Sequence, residues 1–427
     1  MTRTALIRNV LNASLPTIDH ARGVWLHDTQ GKDYIDGSSG AVVTLVGHTH
    51  PRVIAAIADQ AGRVTYTHRG AFTNEPAEAL AEDLHRLTGY PGIWLVNSGS
   101  EAVEAAMQFA LQYHKETADP RRRHFLSHRH GYHGNTLGGL SLSGHARRSA
   151  VDGLAAPWPT LPTPFPFRDA GGADDATFAA RLLAEARTEL ERTAGTVAGV
   201  VVEVVGGATL AAVVPPDGYL QGLRELCDEF GVLLIFDEVM TGIARTGRTF
   251  AADHWEVCAD IQVVGKGLGS GYAPIAAVLL SQRLVDAIAG GSGKVLGGHT
   301  YAANPLASAA ARAVLGVVTD DNLTERAAVT GKLLGDLLTE LGRRHDVVAD
   351  VRGLGMMWGV ELAADGVTGG RAQELTAHAA RAGLLVYPAT GGFNDAVLVA
   401  PPLVIDHREL QELANRLDTA LSATGGA

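Results

Sequence analysis

The sequence predicts an α/β protein built on a mostly parallel sheet, with a smaller unit assembled from both ends of the chain. Three observations predict it. Apolar runs at 197–205, 232–236, Ile261–Val264 and 275–280 have strand length and no polar face, as strands covered on both sides do. A helical-period segment at 218–230 separates the first two runs, and strands alternating with helices give parallel pairing through right-handed crossovers. The 51 glycines are scattered between apolar runs rather than clustered, which suits many tight strand–helix junctions.

The elements follow in order. Residues 24–36 alternate apolar and polar around Asp28-Thr29-Gln30-Gly31, a hairpin signal. Residues 75–87 have helical spacing. Ile93-Trp94-Leu95-Val96 is a short strand that breaks at Asn97-Ser98-Gly99 into a helix over 100–114, with Val103, Ala106, Met107, Ala110 and Leu111 on one face. A strand starts at 123–127. The proline-rich stretch 155–168 is a loop, and Asp175–Arg192 is an amphipathic helix. Past Asn304 the pattern changes to helices at 307–318 and 322–342, then strands at 353–362 and 396–400. Together with the N-terminal hairpin these form the smaller unit.

Composition removes several classes. With 427 residues, 46% hydrophobic and 19% charged, the chain buries a sizeable core. Its net charge of −11 argues against binding nucleic acid through phosphate neutralisation. Two cysteines, Cys227 and Cys258, cannot supply a disulfide framework. Residues 1–20 lack a signal-peptide core, and no uncharged apolar run reaches membrane-spanning length. The expectation is a cytoplasmic enzyme acting on small molecules.

Two residues carry the chemistry. An apolar strand delivers Lys266 into Gly265-Lys266-Gly267-Leu268-Gly269. A lysine beside a buried strand is desolvated, which lowers its pKa and makes it a Schiff-base nucleophile. Asp237 ends the run Leu233-Leu234-Ile235-Phe236, at the carboxyl end of a strand, where α/β sheets bind ligands. As a lone residue it reads equally well as a helix cap. Paired with Lys266 it matches what a protein supplies to pyridoxal phosphate: a Schiff-base lysine and an acid that pins the pyridinium nitrogen. Ser98-Gly99-Ser100-Glu101 opens a helix whose N–H groups attract an anion. His128, His130 and His133 have no nearby Cys or carboxylate cluster to complete a ligand set, so no metal site is predicted. Tyr132 and His133 can instead stack on a flat ring. The chain has no Walker loop, no G-x-G-x-x-G fingerprint and no G-x-S-x-G elbow.

Over nearly its whole length the chain resembles the class III, or ω-type, aminotransferases of pyridoxal-phosphate fold type I. The resemblance rests on Gly47-His48 with Pro51, Asn97 to Ala102, Tyr132-His133-Gly134, and Glu203 with Gly206. Its most specific stretch runs from Asp237-Glu238-Val239-Met240-Thr241-Gly242 through Arg245-Thr246-Gly247-Arg248. Lys266-Gly267, Gly271-Tyr272-Pro274, His299-Thr300-Tyr301-Asn304-Pro305 and Arg352-Gly353-Gly355 complete it.

The resemblance implies a large cofactor unit over 50–305 with a seven-stranded sheet, and a smaller α+β unit from 1–49 and 306–427. It implies an amino group moved between a primary amine or amino acid and an oxo acid, aldehyde or ketone, by a ping-pong route. Lys266 would form the internal aldimine and move the proton, and Asp237 would hold the ring nitrogen protonated. Val239 and Tyr132 would sandwich the ring, with Ser98, His133 and Glu203 also at the cofactor. Gly99 and Ser100 would bind the phosphate, and Thr300 would reach the phosphate in the neighbouring subunit of a homodimer. Residues 39–44 would line the substrate pocket. A racemase or decarboxylase on the same fold, and a non-catalytic scaffold, are the alternatives.

Two departures stand out. Val204 replaces the proline that often follows the strand glutamate. The carboxylate-binding arginine before the Pro-Pro pair is Leu398, and no arginine occurs from 383 to 402. Arg69, Arg129, Arg245 and Arg352 are the substitutes to weigh, and Glu203 is free to face an amine-bearing substrate instead.

Overall fold

The structure is a computed structural model of the chain and describes residues 5–11, 14–363, 370–389 and 391–424. The outer ends of the unit assigned to 1–49 and 306–427 therefore lie partly outside the described residues. Three sheets organise it. The first unites the N-terminal strands β1 (Ile18–Arg22), β2 (Trp25–Asp28) and β3 (Asp33–Asp36) with a later segment. The central seven-stranded sheet is built from β4 (Gly92–Val96), β5 (His124–His128), β6 (Thr160–Leu161), β7 (Val197–Glu203), β8 (Leu233–Glu238), β9 (Ile261–Val264) and β10 (Ala276–Leu280). Its order is β4-β10-β9-β8-β7-β5-β6. The third contains β11 (Val348–Leu354), β12 (Met357–Leu362), β14 (Tyr387–Ala389) and β15 (Ala396–Val399), while β13 (Leu384–Leu385) pairs in parallel with β3.

In the central sheet every strand but β10 points the same way, because β10 is antiparallel to both β4 and β9. The expectation of a mostly parallel sheet holds, with this strand reversed. The apolar run at β10 encodes burial and not direction. The chain reaches β10 from β9 without a crossover helix, and a direct return gives antiparallel pairing.

The strands are apolar because both faces are covered. Val201, Ile235, Val263 and Val278 face the helix Gly99–Glu116, which contributes Val103, Ala106, Met107 and Ala110. Leu111, expected on that face, is exposed and lines a surface groove with Trp94 and Leu296. The other face carries Val200, Leu234 and Phe236 against the helices Asp175–Arg192 and Tyr219–Phe230. The stretch 353–362 is not one strand. It is the β11–β12 hairpin, turned by Gly355 in the left-handed region at φ 55°. The loop at 155–168 hides β6 and a helical turn, Pro166–Asp169.

Gly331 and Gly335 lie one turn apart on the helix Leu323–Arg344 and allow it to rest directly on this hairpin. A Cβ at 335 would stand 2.2 Å from the Trp358 ring, and one at 331 would stand 2.2 Å from the Gly355 backbone. Gly335→Ala should destabilise the protein by about 1–3 kcal/mol, as overpacking does. Urea denaturation will test this, and an unshifted midpoint would contradict the close packing.

Candidate active site

The carboxyl ends of β4, β5, β7, β8 and β9 share one edge of the central sheet, and a cavity of about 180 Å³ opens there. Ligands in open α/β sheets bind at this edge. Register then selects the side chains. Glu203 pairs with Asp237 across β7 and β8. Counting back in twos, Glu203 shares a face with Val201, and Asp237 with Ile235, so both carboxylates face the start of the helix Gly99–Glu116.

The helix start lies on the far wall. The Ser98 hydroxyl caps it by accepting from the Glu101 N–H at 3.2 Å. The N–H groups of Gly99 and Ser100 are donors that a helix start leaves unpaired along its axis. A Cβ on Gly99 would meet Val239 at 2.8 Å, so glycine allows the helix to approach the cavity wall. Ser100 Oγ accepts from the Asn135 N–H at 3.0 Å and ties in the loop after β5. That loop turns at Gly134, φ 104°, where a Cβ would lie 2.6 Å from Ser100 Oγ.

Lys266 sits at the start of the turn after β9, with φ 41°, a left-handed conformation uncommon for a side-chain-bearing residue. Burial pushes its amine down to about 8, against the opposing pull of Asp237 and Glu203. Neither carboxylate pairs with it, because other donors hold both. Asp237 Oδ2 accepts from His133 Nδ1 at 2.9 Å, and Oδ1 accepts from the Val239 N–H at 3.1 Å. Glu203 accepts from the N–H groups of Tyr132 and Gly207, each at 2.9 Å. Burial raises the Glu203 pKa, and Asp237 adds to that rise.

All the predicted site residues except Thr300 line this cavity: Ser98, Gly99, Ser100, Tyr132, His133, Glu203, Asp237, Val239 and Lys266. Thr300 is exposed on the surface, next to His299, whose Nδ1 lies 3.8 Å from Glu101. Residues 39–44 are not in the cavity wall. The segment following them sits behind the Lys266 turn, where the N–H groups of Leu45 and Val46 donate to Ser270 Oγ.

The three histidines diverge. His128 bonds the Tyr219 hydroxyl at 2.8 Å, and burial pushes it down to about 3. His130 stacks on Phe393, with ring centroids 3.6 Å apart. Only His133 faces Asp237, and its Nε2 is buried without a partner.

The four arginines weighed as substitutes lie elsewhere. Arg245 is buried and donates to the carbonyls of Met356 and Pro401. Arg352 is held by Asp350, Glu361 and the Leu210 carbonyl. Arg69 lies over the Trp94 ring at 4.0 Å, and Arg129 is exposed.

Sequence reasoning missed Val103, Val205, Met240 and Thr241 as cavity-lining residues. It also missed Glu238, whose place after Asp237 was the available signal. Glu238 is wholly buried and accepts from Thr241 Oγ1, Gln262 Nε2 and the N–H groups of Ala251 and Ala252. It fixes the loop that carries Val239, and burial raises it to about 7.

The class III aminotransferase family profile matches residues 8–421. The chain belongs to this family. It is 38% identical to an uncharacterised aminotransferase of Bacillus subtilis, over 98% of this chain and 97% of that protein. It is 32% identical to an omega-aminotransferase of Caulobacter vibrioides, over 95% of this chain and 93% of that protein. An amine transaminase from an uncultivated Pseudomonas species, solved in its pyridoxal-phosphate-bound form, superposes with a TM-score of 0.93 at 32% identity. That match covers 99% of this chain and 98% of the other.

The family and these relatives make the protein a pyridoxal-phosphate-dependent aminotransferase of fold type I. They favour transamination over the racemase, decarboxylase and scaffold alternatives. The cavity fits the cofactor on its own terms. It offers an unpaired amine, unpaired helix N–H donors for a phosphate, and a carboxylate at the sheet edge. Among the described residues no helix is long and apolar enough to cross a membrane.

The lowered amine has a measurable consequence. Only the neutral amine reacts with an acylating reagent, and a lysine with the ordinary pKa of 10.5 stays protonated at neutral pH. In the cofactor-free protein, labelling of Lys266 by acetic anhydride should rise with pH through a midpoint near 8. Site-resolved mass spectrometry will read it, and a midpoint above 10 would contradict a desolvated amine.

Proposed function

We propose that this aminotransferase takes an amino group from a primary amine or amino acid and gives it to an oxo acid, aldehyde or ketone, with Lys266 and Asp237 as its catalytic residues. The observation that carries the assignment is the convergence of an unpaired, desolvated Lys266 with Asp237 in one cavity. The chemistry supplied by bound pyridoxal phosphate is an electron sink and a carbonyl for the amino group.

The chain's residues do the rest. Lys266 Nζ, whose pKa burial lowers to about 8, would supply the nucleophile and would then carry the proton off the substrate carbon that bears the amino group. Asp237, oriented by His133 and the Val239 N–H, would hold a proton at the ring nitrogen. Gly99 and Ser100 would receive the phosphate at the helix start, where the dipole favours an anion. Tyr132 and Val239 would flank the ring, and Glu203 holds the Tyr132 backbone in place.

We further propose a homodimer with the active site at its interface and Thr300 reaching the partner's cofactor. Phe72, Leu296 and Tyr301 are 68%, 69% and 63% exposed, large apolar side chains that a second copy would cover. Residues 50–305 form the cofactor unit in this proposal, since they hold the whole central sheet. Residues 1–49 with 306–427 form the smaller unit, joined by the β3–β13 pairing. The free thiols of Cys227 and Cys258 suit a cytoplasmic location.

The cofactor-loaded protein should lose its visible absorption band when a suitable amine is added alone, and regain it when an oxo acid follows. A band that persists through a panel of amines and amino acids would overturn transamination by this site. Lys266→Ala should abolish turnover with the fold intact by circular dichroism, and surviving turnover would overturn the lysine's role. Sedimentation should give twice the chain mass of 44.6 kDa. A fully active monomer would overturn the interface proposal.

A further inference from the structure

The chain lacks an arginine at 398 and throughout 383–402, and the four other arginines considered are bonded elsewhere or stand away from the cavity. The structure supplies one that no motif marks. Arg147 lies in the short turn Ala146–Val151, which is anchored by the Ala146 N–H donating to the Gly391 carbonyl. Its Nη1 donates to the Tyr132 hydroxyl at 3.1 Å, and the guanidinium stands 5.8 Å from that ring's centroid. Tyr132 is itself a wall of the cavity that holds Lys266.

Arg147 is exposed, and among the described residues no carboxylate forms an ion pair with it. A guanidinium carries five N–H donors in a planar fork that matches a carboxylate. Only one of them is engaged here. The surroundings favour an anion from outside. His145 packs on Tyr132 with ring centroids 5.1 Å apart, and burial together with the Arg147 charge lowers its pKa, which favours a neutral ring beside the guanidinium. Arg147 is not itself among the residues that line the cavity, so it meets the site through the Tyr132 hydroxyl, away from the reacting amine.

We propose that Arg147, seated on the Tyr132 hydroxyl, is the carboxylate-recognition residue of this chain, for a carboxylate several bonds from the reacting amino group. This rests on the assignment of the Lys266 cavity as the transamination site. It also gives Glu203 a different task from pairing with an arginine: through the Tyr132 N–H it positions the tyrosine that Arg147 leans on.

The test compares 6-aminohexanoate with hexylamine as donors, and measures glutarate binding to the cofactor-loaded enzyme by calorimetry. Arg147→Gln should raise KM for 6-aminohexanoate and weaken glutarate by about tenfold or more, the worth of a charge-assisted pair. KM and kcat for hexylamine should change far less than those for 6-aminohexanoate, and Arg147→Lys should recover part of the loss. Equal losses on both donors would mark Arg147 as merely structural and overturn the proposal. Unchanged glutarate binding and unchanged KM for 6-aminohexanoate would overturn it too. Weakened glutarate binding, in an enzyme that converts neither donor, would sustain the carboxylate site while the transamination assignment failed.

Discussion

A charged amine buried without a partner is unfavourable, and the site is organised around that fact. Lys266 sits beside two carboxylates that would ordinarily capture it. Neither does, because His133 and the Val239 N–H hold Asp237, while the N–H groups of Tyr132 and Gly207 hold Glu203. The lysine is left with desolvation as its dominant influence, and its amine is free at a pH where a surface lysine is not. Both carboxylates already pull the amine's pKa upward, and releasing either from its donors would strengthen that pull at the expense of the neutral amine. The hydrogen bonds around the carboxylates thus act on the lysine by keeping them away from it.

Much of this was legible in the residues. Strands buried on both faces announce themselves as unbroken apolar runs, and β7, β8 and β9 were readable within a residue or two at most of their ends. Lys266 was legible because a lone lysine at the end of such a run has few bland explanations, and Asp237, which alone reads equally well as a helix cap, was legible through its pairing with Lys266. Direction was not legible, since a run of Ala and Val reads the same both ways, and β10 runs against its neighbours. The hairpin at Gly355 was obscured because Gly353 and Gly359 lie inside the paired strands on either side of it, so a glycine there did not by itself mark a turn. The dispersal of His128, His130 and His133 depends on Tyr219, Phe393 and Asp237, partners brought from distant parts of the chain. Arg147 was invisible for the same reason: its role rests on touching Tyr132, and no spacing encodes that contact.

The loop after β8 joins the cofactor edge to the rest of the chain. Glu238 anchors its near side through the Ala251 and Ala252 N–H groups. Arg245, farther along, donates to the carbonyls of Met356 and Pro401 and to Ser39 Oγ. One buried guanidinium thus draws together segments near both chain ends. Burial lowers its pKa to about 10, still well above neutrality, so these contacts keep their charge-assisted strength.

The left-handed backbone of Lys266 places selection for durability and selection for chemistry in opposition. Glycine adopts that conformation without the penalty a side chain incurs. At this one position, a drift toward the residue the backbone prefers would relax the turn and erase the nucleophile. A lineage released from the need to transaminate would therefore be expected to lose this lysine early, and to gain a sturdier fold by losing it.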